Sequence, residues 1–168
     1  MKTTLAVLNR LVSEKVIDDY AIGGAMGAMF YTEVVTTMDL DIFVLFTDAS
    51  NIMPLAPIYT RLKEWGYSAD EHEKECVNIE GTPVQFLPAY SSLLQEALST
   101  ARVFDYQGVI TKVMLAEYLA AICVETGRVK DKLRVVTFLA TEGFDKAKFL
   151  LLLNKFHLKG RFDQWKLQ

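Results

Sequence analysis

Cysteine is almost missing from this chain of 168 residues: Cys76 and Cys123 are the only two. They lie far apart and without Cys-x-x-Cys spacing, so neither a zinc site nor a disulfide framework is implied, and a reducing cytoplasm fits best. Histidine is equally scarce. His72 and His157 sit among charged or polar neighbours, with no second ligand at metal spacing, so both read as surface residues. An excess of positive charge is lacking as well. A net charge of -3 and a sequence pI of about 5.4 argue against a protein whose main work is gripping a long nucleic acid by its phosphates, because that work needs a basic face. No apolar run is long enough to cross a bilayer, so no membrane is expected. Lys2, Arg10, Glu14 and Lys15 interrupt the apolar residues of the first segment, which excludes the unbroken core of a signal peptide. Internal repeats and low-complexity linkers are absent. The chain is long enough to bury a core without staples, as one domain or a small domain with a helical appendage.

What the chain does have is concentrated between Tyr20 and Phe46, YAIGGAMGAMFYTEVVTTMDLDIFVLF. Side chains alternate faces along a strand, so an extended segment over 40–46 points Asp39 and Asp41 one way and Leu40, Ile42 and Val44 the other. Two carboxylates held side by side repel each other, and a hard divalent cation with oxygen ligands, Mg²⁺ or Mn²⁺, relieves them. Just upstream, the short apolar run Tyr20-Ala21-Ile22 meets Gly23 and Gly24 and then a small-residue stretch. That pattern is a strand turning tightly into a helix whose first amides can face a phosphate. Each feature has a plainer alternative. Asp-x-Asp occurs on solvent faces of many strands, Gly-Gly makes simple turns, and Ala25, Gly27 and Ala28 suit a helix lying close to a sheet. Asp is depleted in strands, however, and the pair stands at the mouth of an apolar stretch directly after the glycine turn.

A diglycine turn opening a helix, then a spacer, then Asp-x-Asp on an apolar strand resembles the nucleotidyltransferase superfamily of DNA polymerase beta. Within it, the chain is similar to small bacterial nucleotidyltransferase-like proteins of the abortive-infection and toxin-antitoxin type, through Gly23-Gly24-Ala25 and Thr37-Met38-Asp39-Leu40-Asp41. The resemblance implies an α/β (α+β) fold with a mixed sheet, flanking helices and a helical C-terminal segment. It implies transfer of a nucleoside monophosphate from an NTP to a hydroxyl on protein, RNA or a small molecule. Asp39 and Asp41 would hold Mg²⁺ or Mn²⁺, and Gly23, Gly24 and Thr37 would contact the nucleotide. The superfamily adds a third carboxylate from a later strand, associated with activating the attacking hydroxyl; here that position carries Gln85, which offers a neutral oxygen and no base. Glu73 and Glu80 are poorly placed substitutes. Arg128-Val129-Lys130-Asp131 resembles the Arg-x-Lys-Asp segment of the abortive-infection proteins. Arg128, Lys130 and Arg134 would then bind the triphosphate, and Asp131 would act as a base or orient Lys130; a solvated helix start is the alternative. The implied partners are an NTP, an acceptor, and a cognate toxin or antitoxin, with a homodimer also open. A catalytically degenerate binding module is the second function.

The remaining pattern is coarse. Thr3 and Thr4 can cap a first helix, with Leu5, Leu8, Val12 and Val16 at helical spacing up to Asp18-Asp19. A second helix is expected over 24–31, an irregular connection over 32–38, a loop over 48–51, and a third helix from Pro54 or Pro57 to Gly66. Residues 74–87 read as a hairpin around Glu80-Gly81-Thr82, and Ser91-Ser92 caps the next helix. An extended piece over 103–113 carries Gly108. Three helices follow, over 115–125, 129–140 and 145–156, with Gly127, Gly143 and Gly160 marking ends. The expected division is a core over 1–113 and a helical segment over 114–168. Within that segment Glu117 and Tyr118 read as scaffold before cleft wall. Phe144, Phe149, Phe156, Phe162 and Trp165 read as core first and as a partner or dimer surface second.

Overall fold

The computed structural model describes residues 1–32, 37, 39–46, 53–71 and 75–165. Of the connection expected over 32–38 only Thr32 and Thr37 are among these, and the loop over 48–51, His72, Glu73 and Lys74 lie outside the described residues.

Helix α1 (Lys2–Ser13) buries Leu5, Leu8 and Leu11 completely. It ends earlier than the sequence periodicity suggests because Lys15 adopts φ 56, a left-handed conformation that no helix continues through. The chain then enters β1 (Asp19–Ile22), the five-residue α2 (Gly24–Ala28) and β2 (Leu40–Leu45). Helix α3 (Ala56–Glu64), with proline in its first turn, leads to a two-residue edge strand β3 (Ser68–Ala69) and the hairpin of β4 (Val77–Ile79) and β5 (Thr82–Pro88). Ser91 caps α4 (Ser92–Ser99) by accepting the Leu94 amide at 3.2 Å. The expected extended piece is a second hairpin, β6 (Arg102–Tyr106) and β7 (Val109–Val113), turning at Gln107-Gly108. Beyond it run α5 (Ala116–Thr126), α6 (Val129–Ala140), α7 (Lys146–Lys155) and a short α8 (Lys159–Gln164). The C-terminal region thus has one helix more than its sequence suggests, and Gly160 lies inside α8 instead of marking an end.

Among the described residues the strands form one mixed sheet in the order β3-β4-β5-β2-β1-β7-β6. β2 is antiparallel to β1 and parallel to β5, and β1 is parallel to β7. Period-two alternation divides β2 between two cores. Leu40, Ile42 and Val44 pack against Leu5, Leu8 and Leu11 of α1 and Ile58 and Leu62 of α3. Phe43 packs on the opposite side, with Leu93 of α4, Met114, Leu119 and the C-terminal helices. The result is a sheet sandwiched between helical layers, the mixed α/β architecture expected from the sequence. The aromatic series belongs to the second core: Phe138, Phe144, Phe149, Phe162 and Trp165 form a chain of ring contacts with centroids 5.3 to 6.4 Å apart. No helix of the described residues is long and apolar enough to cross a membrane.

Candidate active site

The alternation that buries Leu40 and Ile42 beneath the sheet turns Asp41 toward the helical layer that contains α5 and α6. There a cleft of about 460 Å³ opens, lined from the sheet by Gly24, Thr37, Asp39, Asp41 and Gln85 and from the helices by Arg128, Lys130, Asp131 and Arg134. Nine of the ten residues singled out in the sequence therefore converge on one space. The exception is Gly23, whose N–H donates to the Asp41 carbonyl at 2.9 Å and so belongs to the sheet ladder.

The two glycines are explained by close approach. A Cβ on Gly24 would lie 1.6 Å from Oδ2 of Asp41, and φ at Gly24 is +54. A Cβ on Gly23 would meet the Phe43 ring at 2.3 Å. Only glycine fits at either place. Helix α2 has a single turn and a half, so its macrodipole is short, and the pair's first structural service is to make room for the carboxylate of Asp41.

Asp41 is half-buried, and burial raises its pKa above the ordinary value, with the Asp39 charge adding to the rise. Arg134, Arg128 and Lys130 oppose that rise across the cleft. Thr37 donates its hydroxyl to Oδ1 of Asp39, fixing that side chain. Two adjacent carboxylates, one desolvated and pushed toward its protonated form, are a donor pair that a hard divalent cation fits. Among the described residues no group of three His, Cys, Asp or Glu side chains converges on a metal position. Gln85 stands opposite Asp41 in the parallel β2–β5 register and lines the cleft beside it.

On the helical side, Asp131 is fully buried in the first turn of α6. Its Oδ2 accepts from the Arg128 backbone amide at 3.2 Å and from Arg128 Nε at 2.7 Å, and its Oδ1 accepts from Arg128 Nη2 at 3.2 Å and Arg134 Nη1 at 3.5 Å. The carboxylate is thus an N-terminal cap and a bracket for two guanidiniums. Of the two roles the sequence suggests for Asp131, the geometry matches orientation, and what it orients is Arg128 and Arg134, not Lys130. The bond to Asp131 also raises the Arg128 pKa. Gly127, at φ +76, ends α5 and reverses the chain into this bracket, and Arg161 of α8 donates to the Glu125 carbonyl beneath it.

Sequence reasoning missed the apolar wall formed by Phe43, Leu87, Leu94, Leu119 and Ile122, whose side chains carry no local signature. It also passed over Cys123, which lines the floor; burial pushes its thiol up to about 11, so it stays protonated and inert at neutral pH. Glu75 was missed too, although its carboxylate accepts from Gln85 Nε2 at 3.1 Å. The two-residue turn at Glu80-Gly81 sets the hairpin register, Ile79 opposite Thr82 and Val77 opposite Val84, and that count brings residue 75 near 85. Glu117 and Tyr118 are scaffold: Glu117 accepts the Asp145 amide at 3.1 Å, tying α5 to α7, and Tyr118 donates to Glu96 at 2.8 Å.

No family model matches the chain, and no curated protein matches it in sequence. Solved structures do resemble it. An antigenic nucleotidyltransferase-like protein from Paracoccidioides brasiliensis is similar over 94% of this chain and 87% of its own, with a TM-score of 0.54 and 16% identity. ANT(2'')-Ia, crystallised in complex with adenylyl-2''-tobramycin, is similar over 95% of this chain and 99% of its own, with a TM-score of 0.51 and 12% identity. The solution structure of the same antibiotic-resistance factor gives a TM-score of 0.50 at 13% identity, over 99% of this chain and 97% of that one. At such identities the likeness speaks for the fold alone, and it makes this chain's fold nucleotidyltransferase-like.

Proposed function

We propose that the chain transfers a nucleoside monophosphate from an NTP to a hydroxyl acceptor. The observation that carries this reading is the cleft itself, where Asp41 of the sheet shares one space with Arg128, Lys130 and Arg134 of the helical layer. Asp39 and Asp41 would hold Mg²⁺ or Mn²⁺. Bound there, the cation would offset charge on the phosphates during an in-line displacement. Arg128 and Arg134, held in fixed orientation by Asp131, and the freer Lys130 bind the outer phosphates. The acceptor oxygen forms a bond to the α-phosphorus, the α–β bridging bond breaks, pyrophosphate leaves, and the hydroxyl proton passes to solvent. The apolar wall of Leu94, Leu119 and Ile122 excludes water from one side of the cleft.

The adenylyl-2''-tobramycin bound by ANT(2'')-Ia supports placing small-molecule hydroxyls beside protein and RNA among the acceptors. A toxin or antitoxin partner rests on the sequence resemblance, a homodimer on the sequence, and a cytoplasmic location on the cysteine usage. Two observations favour a second reading, a nucleotide-binding module without turnover: the residue paired with Asp41 is Gln85, and the carboxylate of Asp131 is already engaged by two arginines.

The test combines calorimetric titration of each NTP with Mg²⁺ and transfer of label from α-³²P NTPs to lysate protein, RNA and aminoglycosides. Label that disappears in the Asp39→Asn/Asp41→Asn double variant establishes the transferase. Mg-NTP binding without label establishes the binding module. Undiminished Mg-NTP affinity in the double variant overturns both.

A further inference from the structure

The bond between Glu75 and Gln85 is the part of this site that neither the sequence pattern nor the fold assigns. Gln85 lines the cleft, whereas Glu75 lies outside it, at the approach to β4, with its side chain exposed. Glu75 also adopts φ 71, a conformation uncommon for a residue with a Cβ. Such positions persist where surrounding structure determines them. Here the carboxylate reaches across the hairpin to Gln85.

The chemistry follows from the inventory of an amide. A glutamine side chain carries a donor end and an acceptor end, and a cleft on one side sees whichever end faces it. A carboxylate accepts hydrogen bonds only, so Glu75 binds the NH₂ end of Gln85 at 3.1 Å. The carbonyl oxygen Oε1 is then the end left for the cleft. Among the described residues Glu75 is the only hydrogen-bond partner of the Gln85 side chain, so without it nothing selects the oxygen over the NH₂ group, and an NH₂ group repels a cation.

We propose that Glu75 is a positioning residue that sets the orientation of Gln85, so that a neutral oxygen joins the Asp39 and Asp41 carboxylates as a donor to a hard cation. In this arrangement the third donor depends on two residues, an oxygen at Gln85 and the acceptor at Glu75 that orients it. The inference rests on the metal-holding role given above to Asp39 and Asp41. Partners that orient a metal ligand typically change affinity by about 10- to 100-fold when lost, and the neutral amide places the effect here at the lower end.

The experiment measures Mn²⁺ affinity of the full chain by electron paramagnetic resonance, with the metal alone and again with NTP present. Variants are Glu75→Ala, Glu75→Gln, Gln85→Ala and Glu75→Ala/Gln85→Ala. We expect about a tenfold loss in Glu75→Ala. Glu75→Gln should also lose affinity, by no more than Glu75→Ala does, because an amide at position 75 can meet either end of Gln85 and no longer dictates which end faces the cleft. The double variant should be no weaker than Gln85→Ala, since Glu75 acts only through Gln85. Because Glu75 is exposed, all Glu75 variants should melt within about 2 °C of wild type. A loss from Glu75→Ala that persists undiminished in the Gln85→Ala background would mean that bulk charge, not orientation, is at work, and overturns the proposal. Wild-type affinity that falls in Asp41→Asn yet is unchanged in Glu75→Ala overturns this inference alone, whereas failure of wild type to bind Mn²⁺ under either condition overturns it together with the metal-holding role.

Discussion

Gly24→Ala adds one methyl group, and its consequences can be worked from the structure. Alanine in an ordinary helix position is better than glycine by roughly 1 kcal/mol. Here the methyl would sit 1.6 Å from Oδ2 and 2.5 Å from Cγ of Asp41, on a backbone at φ +54. The left-handed conformation costs about 1–2 kcal/mol for a residue with a Cβ. Forcing atoms into filled space adds about 1–3 kcal/mol. The expected net loss is roughly 1–4 kcal/mol, or about 2–15 °C in Tm for a chain of this size. Scanning calorimetry measures it. Two further variants separate the terms. Gly81→Ala, at φ +78 with nothing within 4 Å of the added carbon, should show the conformational cost alone. Gly24→Ala in an Asp41→Ala background loses the Oδ2 and Cγ overlaps, the two shortest, and keeps the 2.9 Å contact to the Asp41 Cβ, so most of the steric cost should vanish. Mg-NTP affinity should fall in Gly24→Ala beyond what its lower stability explains, since Asp41 must move. A Gly24→Ala protein as stable as wild type, or one whose loss is the same with and without the Asp41 carboxylate, refutes the close-approach reasoning.

Two other outcomes follow from the electrostatics of the cleft. Because burial and the Asp39 charge raise the folded-state pKa of Asp41, the folded chain holds this proton more tightly than the unfolded chain does. Its contribution is present below the unfolded carboxylate pKa and is lost as pH rises through the folded one, so Asp41→Asn should melt above wild type at pH 7, and the difference should shrink in acid or when Mg²⁺ is added to wild type. On α6, Lys130→Ala should leave Tm nearly unchanged while weakening NTP about tenfold and NMP much less; Asp131→Asn should instead cost roughly 1–3 kcal/mol in thermal melts, because it loosens a buried cap and two arginines. Equal losses for NTP and NMP in Lys130→Ala, or an unchanged Tm in Asp131→Asn, would contradict these assignments.

Local spacing was enough for the elements nearest the site. The alternation of Leu40, Ile42 and Val44 with Asp39 and Asp41 could be read from the chain because a strand has a period of two wherever it is placed. The turn at Glu80-Gly81, the Ser91 cap and the glycine end of α5 were legible for the same reason: each depends on the chemistry of a few adjacent residues. The periodicity of α1 misled at its end, where the left-handed Lys15 and the burial of Ile17 stop the helix that Val16 would have continued.

By itself, the sequence determined which residue types could do phosphate and cation chemistry, and the sheet-with-helices architecture that would carry them. It also supplied the departure at Gln85, since a missing carboxylate is visible in one letter. Only the tertiary structure decided which residues meet: that Arg128 and Arg134 cross to the face bearing Asp41, that Asp131 is consumed in holding them, that Gly24 is empty space reserved for Asp41, and that Gln85 answers to Glu75. The physical reason is range. Pattern and propensity act within a few residues, whereas burial, pKa and hydrogen-bond partnership are set by whatever the fold brings within a few ångströms, and here that comes from distant strands and helices.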